Sequence, residues 1–118
     1  MKKIVHIDNS EFFRKLMRTF LQAEGFEVES FDSATEANLV IGAGAADMVI
    51  MGMTFSEMEG EEFIRKIVES FMGPVIVVSS SLDKYKEENL LGLGIRAALN
   101  KSGSWKEGLK LHLSVLKG

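Results

Sequence analysis

Six positions fall where a strand ends and a loop begins, and they carry most of the groups able to do chemistry: Asp8, Asn9, Gly52, Thr54, Ser79 and Lys101. A carboxylate such as Asp8 can ligate a cation or pair with an ammonium, and Lys101 is the natural partner. Read plainly, the two make an ion pair that closes a polar pocket. The run Ser79-Ser80-Ser81 can hold an anion, although serine also serves ordinary loops and helix caps. Gly52 can do none of this. His6 falls inside a strand with the same parity as Asp8, which suits a buried neutral imidazole with one hydrogen-bond partner. His112 is an edge residue of a helical packing stripe, and two distant histidines make no metal site.

These groups are far apart in sequence, so the elements must bring them together. Ile4-Val-His-Ile7 reads as a first strand, followed by a helix capped by Ser10. Phe13, Leu16, Met17, Phe20 and Leu21 recur on one face of that helix, and Phe12 falls beside the stripe. Gly25 stops it. Phe26 to Phe31 alternates as a second strand, and Ser33 to Ile41 forms a second helix. Asp47-Met-Val-Ile-Met51 is a nearly continuous apolar run ending at Gly52, the pattern of a central parallel strand covered on both faces. A third helix runs from Gly60 to Phe71. Val75 to Val78 is a fourth strand, and Asp83 to Leu91 a short, weakly amphipathic helix. Arg96 to Leu99 is a fifth strand. Ser104 then caps a last helix with Trp105, Leu109, His112, Leu113 and Leu116 on one side. Five strands alternating with five helices imply a doubly wound parallel α/β sheet. Parallel strands point their carboxyl ends to one edge, so the six positions converge there.

The totals exclude several classes. The chain of 118 residues fits a single domain, residues 1–118. With 14 Lys+Arg against 17 Asp+Glu it has no general field for nucleic acid. It contains no cysteine, hence no disulfide, thiolate site or cysteine nucleophile. No apolar run approaches a membrane span, and no signal peptide is visible. A cytoplasmic protein is the expectation. The GxG spacings at Gly42/Gly44 and Gly92/Gly94 do not follow a strand and open a helix, so a nucleotide or flavin site is not expected.

Taken in order, Ile7-Asp-Asn-Ser10 with Arg14, Asp47-Met-Val-Ile-Met51 with Met58-Glu-Gly60, Pro74-Val-Ile-Val-Val-Ser79 and Gly94-Ile-Arg-Ala-Ala-Leu-Asn-Lys101 resemble the receiver domain of two-component response regulators. The resemblance covers essentially the whole chain. It implies a flavodoxin-like sheet in the order 2-1-3-4-5. It also implies phosphoryl transfer to an aspartate after the third strand, assisted by magnesium on that aspartate and an acidic pair after the first strand. Matched position by position, Asp8 is the first acid and Asn9 replaces the second. Ser79 is the phosphoryl-binding hydroxyl and Lys101 the lysine. Gly52 stands where the acceptor should be.

Glycine cannot form an acyl phosphate, and of three family carboxylates only Asp8 is left. Magnesium binding is therefore expected to be weak or absent. The aromatic switch residue of the family corresponds to Ala98, and the proline after the lysine to Ser102. The reading is a degenerate receiver with no enzymatic activity. It would act in signal transduction by binding another signalling protein: a histidine kinase, a transfer domain or an effector. The family's usual surface is the fourth helix, fifth strand and fifth helix, which here includes Tyr85, Arg96, Ala98 and Trp105. The first helix is the second candidate. No nucleic acid or membrane partner is expected. Two alternatives stand beside this one: a residual phosphoreceiver using Thr54, Glu57 or Ser79, and a small-molecule sensor using the vacated pocket at Gly52.

Overall fold

The computed structural model describes residues 1–53, 60–80 and 82–117. Five strands, β1 (Lys3–Ile7), β2 (Glu27–Phe31), β3 (Met48–Met51), β4 (Val75–Ser79) and β5 (Ala97–Asn100), form one sheet in the order β2-β1-β3-β4-β5. All four pairings are parallel. Each crossover carries a helix: α1 (Glu11–Ala23), α2 (Ala34–Gly42), α3 (Gly60–Ser70) and α4 (Lys84–Gly92). α5 (Trp105–Lys117) closes the series. This is the flavodoxin-like architecture, and several strand boundaries differ by one residue from the sequence reading.

Strand parity divides the core into two layers. Val5, Ile7, Val49, Met51, Val75 and Val77 face one side, where Ala37 and Ile41 of α2, Ile64 and Ile67 of α3 and Leu90 of α4 cover them. Ile4, Met48, Ile50, Ile76 and Val78 face the other, under Phe13, Met17 and Leu21 of α1 and Trp105, Leu109 and Leu113 of α5. The four residues of β3 are all buried, as a central strand of a doubly covered sheet requires.

Helix starts are set by side-chain caps. Ser10 Oγ accepts the Phe13 amide at 3.1 Å, and Asp83 Oδ1 accepts the Lys86 amide at 2.8 Å. Entry into β5 depends on Gly94, whose φ of +105° is open to glycine. A Cβ there would also lie 2.9 Å from Val68.

Candidate functional site

Three backbone hydrogen bonds gather the strand ends. The Asp8 amide donates to the Phe31 carbonyl at 3.0 Å, the Gly52 amide to Ile7 at 2.9 Å, and the Lys101 amide to Ser79 at 3.0 Å. Each joins the residue after one strand to the end of its neighbour. Asp8, Asn9, Gly52, Met53, Val78, Ser79, Ser80 and Lys101 thereby line one cleft of about 120 Å³. Thr54 lies outside the described residues, as does Glu57.

Asp8 is the centre of this cleft and is only 2% exposed. Its Oδ1 accepts the Ser10 amide at 2.9 Å, and its own carbonyl accepts Arg14 Nη1 at 2.7 Å. Its Oδ2 lies 2.8 Å from Lys101 Nζ. That contact is a close charge pair lying off the hydrogen-bonding direction, since Oδ2 has no aligned donor. A Cβ built on Gly52 would stand 3.0 Å from the same Oδ2. The carboxylate therefore leans into the space beside the glycine and meets the lysine there.

Lys101 is fixed from two further sides. Its Nζ lies 4.3 Å from the centre of the Phe13 ring. Its loop is held by Asn100, whose Oδ1 accepts both the Ser102 amide at 3.1 Å and the Ser102 hydroxyl at 2.8 Å. Sequence reading assigned no role at the site to Phe13 or Asn100. Phe13 was visible only as part of the packing stripe. Asn100 carried a signal, an Asx residue two positions before a serine at the end of a strand.

One expectation needs correction. Trp105 is only 6% exposed, with its ring edge-on to Phe13 at 5.2 Å and to Phe20 at 5.4 Å. Its large apolar surface is worth more in the layer beneath α1 and α5 than in water, so it is no surface contact. Tyr85 and Arg96 are exposed, whereas Ala98 is half-buried against the opposite layer. His6 is buried as expected, but its Nδ1 has no hydrogen-bond partner. Ser30, its register partner on β2, also has an unpaired buried hydroxyl. Burial holds the His6 pKa down to about 4. The nearby Asp8 charge opposes that shift, and those of Lys101, Arg14 and Arg18 reinforce it.

Among the described residues, few oxygens at this edge are free to hold a magnesium ion. Both Asp8 oxygens are engaged and Gly52 brings no side-chain oxygen. Among the described residues no group of three His, Asp or Glu side chains could hold a metal.

A doubly wound parallel sheet with its polar groups at the carboxyl edge defines the class. The family model of the response regulator receiver domain matches residues 4–111, and the chain belongs to that family. It is 28% identical over 93 residues to the regulatory protein VanRc of Enterococcus gallinarum, covering 79% of this chain and 40% of that protein. It is 33% identical over 90 residues to a protein-glutamate methylesterase/protein-glutamine glutaminase of Bacillus subtilis, covering 74% of this chain and 25% of that protein. The matches thus span less than half the length of these relatives. In fold it is similar to chemotaxis protein CheY4 of Vibrio cholerae, with a TM-score of 0.82 at 23% identity over 97% of both chains. A two-component response regulator from Clostridium difficile gives a TM-score of 0.89 at 19% identity, covering 99% of this chain and 97% of that one. Receiver domains are signalling modules. No described helix is long and apolar enough to cross a membrane.

Proposed function

We propose that this chain is a pseudo-receiver, a cytoplasmic, non-catalytic module that acts in signal transduction by binding another protein without an aspartyl phosphate. One observation carries the reading. Gly52 stands where the resemblance puts the acceptor, and the two charged groups beside it are paired with each other, with Lys101 Nζ 2.8 Å from Asp8 Oδ2. A glycine side chain has no atom to attack phosphorus. Recruiting Lys101 to a phosphoryl oxygen would strip a carboxylate that is 2% exposed of its counter-charge. Removing one partner of a buried pair costs about 3–5 kcal/mol.

The small-molecule reading has less support, because a cleft of about 120 Å³ is well below the roughly 300–1,000 Å³ of common ligand sites. The partner is another signalling protein, met through α4, β5 and α5 or through α1. Tyr85 at 74% and Phe12 at 77% exposure are among the apolar side chains these elements present, with Leu91 on α4 and Leu111 and Val115 on α5. Magnesium has no part in this function.

Incubation with acetyl phosphate and Mg²⁺, followed by intact-mass measurement and peptide mapping, tests the reading. No phosphorylated species is expected. A phosphoryl group mapped to Ser79, Thr54 or Glu57 would replace it with a non-standard phosphoreceiver.

A further inference from the structure

Lys101 touches two groups at once. Its ammonium neutralises Asp8 at 2.8 Å and stands 4.3 Å above the Phe13 ring. Phe13 belongs to α1 and meets the Trp105 ring edge-on at 5.2 Å, while Trp105 opens α5 and meets Phe20 at 5.4 Å. Phe13 and Trp105 are each 6% exposed. The cation of the pocket therefore rests on the aromatic cluster that joins α1 to α5.

The opposite layer offers a thinner route. Ala98 presents a methyl group there, and α4 buries a single residue, Leu90. A ring holds a cation through its quadrupole, and the attraction grows as the charge is desolvated. Asp8 and Phe13 share one ammonium, so a change at either alters its contact with the other. Closely packed side chains transmit such shifts because the interior has little free volume.

We propose that Lys101 couples the Asp8 pocket to the α1–α5 face through Phe13 and Trp105, so that anything drawing the ammonium away is felt there and not at α4. This rests on the reading that an ion pair, and no phosphoryl group, occupies the pocket.

Amide and indole NMR shifts in Asp8→Asn and Lys101→Met test the coupling. Each variant is read at the helix remote from it in sequence. Asp8→Asn should move the Trp105 indole and the first turn of α5, and Lys101→Met should move Phe12 to Met17 of α1. Both should leave Lys84 to Gly92 nearly unmoved. In a Phe13→Leu background, which keeps the position apolar, the response of Trp105 to Asp8→Asn should be lost. Shifts in α4 equal to those in α1 and α5 would overturn the proposal, as would a Trp105 response that survives Phe13→Leu. The α4 comparison decides even if the Phe13 variant does not fold. A phosphoryl group on Ser79 would sink the pseudo-receiver reading, whereas the coupling itself stands or falls on the α4 comparison.

Discussion

At the scale of single residues, a glycine at position 52 changes what its neighbours do. Asp8 leans toward the open side of the glycine, where Lys101 meets it. Ser10 and Arg14 hold the rest of Asp8 in place. The Asp8–Lys101 pairing was legible from residue types and strand ends alone, since one acid and one base at a shared edge have few other partners. His6 was only half legible. Its burial follows from strand parity, but that its Nδ1 goes unpaired is a matter of tertiary packing, which no local pattern reveals. The consequence is measurable. The unfolded chain protonates His6 near pH 6.5, whereas the folded chain resists until about pH 4. The unfolded state thus binds more protons in that window, so stability falls as pH drops from 6.5 to 4, by about 1.4 kcal/mol per unit. Urea unfolding of the native chain and His6→Phe should diverge across this range, with the native chain losing stability faster. Parallel curves would mean that His6 is not held neutral by burial.

Among the elements, the helices differ in how firmly they are held. α1 buries Phe13, Met17 and Leu21, and α5 buries Trp105, Leu109 and Leu113. α4 buries only Leu90. The sequence already showed this contrast, because α1 has a clean apolar stripe and α4 has scarcely any. The place of Trp105 was not settled in the same way. It begins a helix and lies on its packing side, yet it also falls in the segment the family uses as a surface. Only the meeting of α1 and α5 decides in favour of burial. Leu90→Ala should cost about 2–5 kcal/mol. It should also release α4 first, so hydrogen exchange of Lys86 to Leu91 should speed up while α1 amides keep their relative protection. Equal loss of protection in both helices would show that α4 is not an independently weak element.

For the whole molecule, the alternation of five strands and five helices was enough to predict a parallel doubly wound sheet, because short links between parallel strands demand helical crossovers. The strand order came from the resemblance and matches the observed order, β2-β1-β3-β4-β5. Where the strands end, this fold surrounds a glycine and the Asp8–Lys101 charge pair. The central claim is that this pocket takes neither magnesium nor a phosphoryl group. Amide NMR spectra before and after adding Mg²⁺ with beryllofluoride, a phosphoryl mimic, test it most directly. The account predicts that resonances of Asp8, Gly52, Ser79 and Lys101 stay where they are. Saturable shifts at those four residues would contradict it and return the chain to the phosphoreceivers.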